Sequence, residues 1–393
     1  MFLAITNTPR EYAWGSTTAI AGLLGRTPSG RPEAELWLGA HPGSPSVIVN
    51  PAVVSGHDTL ADWIAAEPGR TLGRDRHELP FLLKLLAADA PLSIQAHPTP
   101  EQAREGFARE NAAGVPLDSP VRNYKDAAPK PEIIYALSET FDALCGFRAV
   151  AETLVDVETL DAGSGRLGAL TTRLHDSLQS TLEWLFGGSD EAAATIEAVS
   201  ALAEEARVRS DTRSSPSIDT VVDLTERYPG DAGIVVSLLL NRVTLRRGEA
   251  LFLPAGNIHA YLKGFGVELM APSDNVLRGG LTPKHVDVPE LLRVLEFDAL
   301  PVPYLRPVET AKGVERFDPE GVGFALLRVR PGDNGAVVEI SGPSILLVTD
   351  GDVHVKGQDG TIRLSAGESS YVTPDEVRLA VTGGGTLFVA TPA

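Results

Sequence analysis

Cysteine is almost absent from this chain of 393 residues; Cys145 is the only one, so no intrachain disulfide framework can form. A single thiol fits a reducing compartment and argues against the thiolate-rich ligand sets of closed structural zinc sites. Basic residues are also scarce, with 34 Lys and Arg against 52 Asp and Glu and a net charge of −18. A phosphate-backbone binder needs the opposite balance, so nucleic acid is not an expected partner. An anionic substrate would require a site that gathers cations against the global field. Long apolar runs are missing too. The longest, in IVVSLLL at 234–240, falls far short of the roughly 20 residues of a spanning helix. Residues 1–16, MFLAITNTPREYAWGS, hold no basic leader followed by an apolar stretch. The expectation is a cytoplasmic protein without membrane association or an obligatory protein partner. At 43% hydrophobic and 22% charged residues the composition is globular, and the length predicts two to three domains.

Glycine (38) and proline (29) punctuate short apolar runs, a texture of many short strands joined by turns. LPFLLKLL (79–86), LSIQAHP (92–98), PEIIYAL (131–137), ALFLPA (250–255), IHAYL (258–262), VELM (267–270), SILLVTD (344–350) and TLFVATP (386–392) are the clearest strands. Between about 148 and 240 the texture becomes helical. SDEAAATIEAVSALAEEARVR (189–209) has apolar residues at helical spacing and a Ser189 or Asp190 start signal. TLEWLF and TVVDLTERYP fit further helices, and RSDTRSSPS (209–217) reads as a polar linker. TPEQAREGFAREN predicts a helix capped by Thr99, with Pro100 first and Gln102 completing a capping box. RRGEALFLPAGNIHA (246–260) faintly repeats in LSAGESSYVTPDEVRLA (364–380), the pattern of a small double-stranded β-barrel. Aligned on Pro254 and Pro374, the place of His259 falls on Leu379, so only the first copy offers a metal ligand.

Four segments could carry chemistry. In LSIQAHP, Ser93, Gln95 and His97 share one strand face, either a ligand-bearing face inside a barrel or a solvated surface face. In PKPEIIYAL, Lys130 and Glu132 share a face at the start of an apolar strand, as site residues or as an edge ion pair. In FLPAGNIHAYL, His259 and Tyr261 share a face, His259 being a ligand or a hydrogen-bonded core residue. Together Gln95, His97, Glu132 and His259 provide two imidazoles, a carboxylate and an amide oxygen, a first shell for a borderline divalent cation. One carboxylate against a 2+ ion leaves a net +1, which suits a Lewis acid. The fourth segment, VELMAPSDNVLRGGLTPKH, holds Glu268, Arg278 and Lys284. Lys84, alone in FLLKLL, needs an anionic partner if buried. Arg278, Lys84, Lys130 and Lys284 could form the cationic pocket the acidic chain otherwise lacks, or be solvated surface charges.

The chain resembles the type I mannose-6-phosphate isomerases, zinc enzymes of the cupin superfamily. The resemblance rests on YAWGS (12–16), AELWLGAHP (34–42), PFLLKLLAADAPLSIQAHP (80–98), RNYKD (122–126), KPE (130–132), FDALCGFR (141–148), FLPAGNIHAYL (252–262) and SDNVLRGGLTPK (273–284). It implies two cupin-like jelly-roll β-barrel domains plus an α-helical domain, mainly β with a helical insertion. Residues 1–147 and 241–290 would form a discontinuous catalytic domain, 148–240 the insertion, and 291–393 a C-terminal cupin-like domain without a metal site. Carried over, the zinc ligands are Gln95, His97, Glu132 and His259, for one zinc per chain, and the active-site arginine is Arg278. Trp14, Glu35, Lys84, Ser93, Lys130, Tyr261, Glu268 and Lys284 fall in or near the substrate pocket. One departure stands out. The family often has Asn-His before Lys-Pro-Glu, where this chain has Ala128-Pro129.

The resemblance implies interconversion of mannose 6-phosphate and fructose 6-phosphate, a proton moving between C1 and C2 through an enediol-type intermediate. Zinc and Arg278 would stabilise the enediolate oxygen, with Glu268, Lys130 or a zinc-bound water as the base. Lys84, Ser93, Arg278 and Lys284 are the candidates for the phosphate. Two other classes remain open at this point, a cupin oxygenase using iron and a sugar-phosphate-binding module without catalysis.

Overall fold

The computed structural model describes residues 1–208 and 215–393. Among them lie a nine-stranded, an eight-stranded and a four-stranded sheet, with a group of helices between Val150 and Leu238. The chain is sheet-rich and helical together. Residues 209–214 of the expected linker (209–217) lie outside the described residues; Ser215 caps the helix Pro216–Arg227, so Pro216 and Ser217, expected in the linker, are helical.

The nine-stranded sheet is organised around one strand, His259–Met270. It pairs with Leu82–Ala88, Gln95–Ala96, Glu132–Ala136 and Thr140–Phe147. IHAYL and VELM, expected as two strands, are the ends of this single one. Its register slips between Tyr261 and Lys263, and Gly264 adopts φ +146°. A Cβ at Gly264 would stand 2.6 Å from the Phe141 ring, so the close approach also requires glycine. A one-residue slip moves side chains to the opposite face. Tyr261 at an odd position and Glu268 and Met270 at even ones therefore face the same cavity.

The strand Leu82–Ala88 is buried throughout. Leu83, Leu85 and Ala87 enter a core shared with Phe81, Tyr135 and Phe388, while Leu82, Lys84 and Leu86 face the cavity. LSIQAHP forms a ladder only at Gln95–Ala96. Pro91 and Pro98 bracket it without backbone donors, and Thr99 already caps the helix Pro100–Ala112 through the expected capping box. The alternation nevertheless holds. Ser93 and Gln95 face the cavity, while Ile94 and Ala96 join the core of the helical segment.

The helices Val150–Asp161, Gly168–Asp176, Leu178–Phe186, Asp190–Val208 and Pro216–Arg227 pack into that core, which also takes in Leu144, Ile258 and Leu277. Ser189 starts the Asp190 helix, its Oγ accepting from the Ala192 N–H at 3.2 Å. These helices thus back the strands that carry the polar face. Asp231 Oδ1 accepts the Gly233 N–H at 2.7 Å and the Leu281 N–H at 3.0 Å, tying the helices to the segment after Arg278. Leu281 has φ +54°, a left-handed conformation that costs a non-glycine residue about 1–3 kcal/mol and is held here by that bond and by burial.

The faint repeat is real in the backbone. The Glu249 carboxylate accepts the Arg246 N–H at 2.8 Å, and the Glu368 carboxylate accepts the Ser365 N–H at 2.8 Å, with Gly248 and Gly367 at φ +98° and +86°. Leu379 is fully buried in the apolar core of the C-terminal strands. The first strand, Phe2–Thr6, pairs with Ser369–Val372 and so lies in the eight-stranded sheet.

Candidate active site

Four distant segments meet where the central strand begins. His259 pairs directly with Gln95, and Gln95 in turn with Arg278. Glu132 opens its strand opposite Met270 and Leu253. His97 Nε2 lies 3.3 Å from Glu132 Oε1, and His259 Nε2 lies 3.5 Å from Glu132 Oε2. All three residues are buried, and their ligand atoms fall within 4.8 Å of one another, the one such cluster among the described residues. The Gln95 amide nitrogen stands 3.3 Å from His259 Nε2, and a half-turn of the amide presents its oxygen there instead.

The ring orientations are preset. His97 Nδ1 donates to the Asn275 carbonyl at 2.8 Å, and His259 Nδ1 to the Asn257 carbonyl at 3.0 Å. With Nδ1 protonated, both Nε2 lone pairs face the common centre, the arrangement found around ligated metals. His97 Nε2 and Glu132 Oε2 make no hydrogen bond. Buried polar atoms without partners are costly, and a divalent cation would satisfy them. Two imidazoles, a carboxylate and an amide fit a borderline ion such as zinc.

Burial holds His97 neutral, lowering its pKa to about 4 against the pull of Glu132. Burial alone would raise the Glu132 carboxyl, but Lys130, 3.1 Å away, and the two rings hold it well below the usual carboxylate range. Between pH 6.5 and about 4 the unfolded chain takes up a proton that folded His97 refuses. Protein stripped of metal by chelation should therefore lose stability as pH falls through that window, by about 3 kcal/mol from this group. The depressed Glu132 adds loss in the same direction below its ordinary pKa. Urea unfolding at several pH values reads this; a flat profile would contradict it.

Lys130 and Glu132 are a buried pair rather than an edge contact, and Lys84 has its anions. Its Nζ lies 3.1 Å from Glu268 Oε2 and 3.6 Å from Glu35 Oε1, above the Trp37 ring. Burial would lower the Lys84 pKa, but the two carboxylates raise it above its ordinary value. Glu268 is raised as well: burial outweighs Lys84, and Glu132 and Glu35 add to it. Tyr261 is buried with an unpartnered hydroxyl, its pKa pushed well up by burial and then by Glu268 and Glu132.

Trp14, Glu35, Lys84, Ser93, Gln95, Lys130, Glu132, Tyr261, Glu268, Arg278 and Lys284 all line one open cavity of about 730 Å³. His97 and His259 stand beside it, reaching it through Gln95 and Glu132. Arg278 is half-buried, and burial lowers its pKa with no carboxylate among the described residues opposing. Lys284, at the mouth, is lowered by partial burial and by Arg278. A guanidinium with no carboxylate partner among the described residues, beside an ammonium, makes an anion site.

Several lining residues escaped sequence reasoning. His41 and Asp274 sit in turn-like stretches, and Arg227 and Tyr228 come from the C-terminal end of the helix Pro216–Arg227, with the Tyr228 hydroxyl donating to the Pro91 carbonyl at 2.9 Å. At the departure before Lys130, the Ala128 carbonyl accepts from Asn275 Nδ2 at 2.9 Å and Ser273 Oγ at 3.2 Å. No helix among the described residues is long and apolar enough to cross a membrane.

The family model for the phosphomannose isomerase type I catalytic domain matches residues 2–150. The mannose-6-phosphate isomerase of Escherichia coli (strain K12) is 38% identical over 393 residues, covering 98% of this chain and 97% of that protein. The Homo sapiens mannose-6-phosphate isomerase is 34% identical over 382 residues, covering 88% of this chain and 86% of that one. A crystal structure of a zinc-bound mannose 6-phosphate isomerase superposes with a TM-score of 0.88 at 34% identity, covering 100% of this chain and 99% of the other. With its motifs, its fold and its buried His–Glu–His cluster in agreement, the chain belongs to the type I phosphomannose isomerase family.

Proposed function

We propose that this chain is a zinc-dependent aldose–ketose isomerase that interconverts mannose 6-phosphate and fructose 6-phosphate, with one zinc per chain. The observation that carries this reading is the convergence of Gln95 and Glu132, in the cavity wall beside Arg278 and Lys284, with the buried rings of His97 and His259 directly behind them. A sugar-binding module would not need a preset ligand cluster with unpartnered atoms. An iron oxygenase would not need an uncompensated anion site. The domain reading that accompanies it has 1–147 and 241–290 as a cupin-type catalytic unit, 148–240 as the insertion and 291–393 as a cupin-like domain without metal.

Zinc, held by Gln95, His97, Glu132 and His259, would act as a Lewis acid toward the sugar's oxygens. The chain's own groups supply the rest. Arg278 and Lys284 hold the phosphate or the developing oxyanion end of the substrate, while Lys84 is engaged by carboxylates. Fixing the anion aligns the reactive carbons with the base. Glu268 is the base the geometry favours: it is buried, lines the cavity and has a raised pKa. A carboxylate whose pKa approaches the working pH transfers protons more effectively. Lys84 stays beside Glu268 and limits that rise. Lys130 keeps Glu132 ionised. Ser93 and the free Tyr261 hydroxyl offer hydrogen bonds to sugar oxygens, with Trp14 and Glu35 closing the wall.

A coupled assay in D2O tests the reading. Starting from fructose 6-phosphate, the mannose 6-phosphate formed should carry solvent deuterium at C2. No conversion would overturn the isomerase reading. Conversion with complete retention of the migrating hydrogen would overturn an exchanging base and favour a hydride shift.

A further inference from the structure

The turn after the strand Glu35–Leu38 delivers a buried imidazole to the cavity wall. His41 is 6% exposed and packs edge-on against Trp37, with ring centroids 4.9 Å apart. Its Nδ1 accepts the Gly43 N–H at 3.1 Å. That bond fixes the tautomer, since an accepting Nδ1 leaves the neutral ring's proton on Nε2. Nε2 faces Asp274 Oδ2 at 3.5 Å. Both residues line the cavity.

Asp274 has a pinned backbone and a free head. Its N–H donates to Asp126 Oδ2 at 3.0 Å, which anchors the turn. Among the described residues, His41 is the only charge partner of its carboxylate, which is 55% exposed. The charged groups around the ring are Asp274, Lys84, Asp126 and Lys130. Burial and the two lysines lower its pKa against the two carboxylates, which favours the neutral form.

We infer that His41 is a positioning residue of the isomerase reaction, its Nε2–H steering the Asp274 carboxylate so that the free oxygen accepts a hydrogen bond from a sugar hydroxyl in the cavity. The inference rests on the isomerase reading above, because it needs a polyhydroxylated substrate there. A hydrogen bond to a charged group is the interaction at stake, so losing the steering contact should cost roughly tenfold or more in kcat/KM.

A double-mutant cycle with zinc content and ¹⁵N NMR tests it on the full-length holoenzyme. His41→Phe keeps the edge-on packing volume and removes the donor. It should lower kcat/KM by about tenfold or more at unchanged zinc content. His41→Gln, whose Nε2 can take the same place, should recover most of that loss. In an Asp274→Asn background, His41→Phe should add almost nothing, because it acts through the carboxylate. Unchanged kcat/KM in His41→Phe, or an undiminished further loss in the double variant, would overturn the inference. The ring's ¹⁵N shifts read the tautomer without turnover: the Nε2–H form supports the inference, and an Nδ1–H or doubly protonated ring at neutral pH overturns it. Absence of turnover in the unsubstituted enzyme would instead strike the isomerase reading, so the two failures are told apart.

Discussion

Glu132→Ala should abolish turnover, by about 10³-fold or more, and leave the purified protein with far less than one zinc per chain. The size of the effect follows from where Glu132 stands. It is the one carboxylate between His97 and His259 and the anion for Lys130, and it is buried. Removing it takes away a ligand and strands a buried ammonium. Breaking a buried pair in this way costs about 3–5 kcal/mol, so reduced thermal stability should accompany the loss. Glu132→Gln, which keeps the volume but not the charge, separates the two consequences. It should fold better than the alanine variant yet still bind zinc weakly. Metal analysis beside the coupled assay reads both, and retention of zinc and activity in Glu132→Ala would remove the metal centre from the mechanism.

Arg278→Ala should lower kcat by about 10²–10³-fold while zinc stays near one per chain. Arg278 pairs through its backbone with Gln95, so its guanidinium reaches the cavity next to the ligand cluster without belonging to it. Among the described residues no carboxylate pairs with its charge, and in the proposed reading the substrate supplies that anion. Arg278→Lys should rescue poorly, because a point charge does not reproduce the planar fork of donors that grips an oxyanion. If the alanine variant releases zinc instead of losing turnover, the residue belongs to the support of the metal site.

The sites of chemistry were legible where one segment carried both its partner signal and its strand period. SIQAHP placed Ser93 and Gln95 on one face and Ile94 and Ala96 on the other, and the structure has the first pair in the cavity and the second in the helical core. SILLVTD and TLFVATP became the strands Ser344–Asp350 and Thr386–Pro392 with the expected ends. Alternation could not reveal the slip near Tyr261, because a register shift depends on which strand lies alongside and on the space Phe141 leaves at Gly264. Reading by strict alternation would have sent Tyr261 and Glu268 to opposite faces. His41 and Asp274 were invisible for another reason. Each sits in a motif that carries the family resemblance but at a position with no strand or helix period, and their meeting depends on two loops more than 200 positions apart in sequence. The helical segment was recognisable as helical, but its contribution of Arg227 and Tyr228 to the cavity came from tertiary docking alone.

That docking has a consequence for how the molecule holds together while it works. The same Asp231 oxygen that caps the Gly233 amide also grips Leu281 in its left-handed pose, three positions beyond Arg278. A carboxylate belonging to the bundle thereby acts as a splint for the guanidinium's hinge. Loosening of the helices would thus be felt first at the anion grip, while the candidate ligands Gln95, Glu132 and His259, held in the strand ladder, keep their places, so substrate affinity would fade before metal retention does.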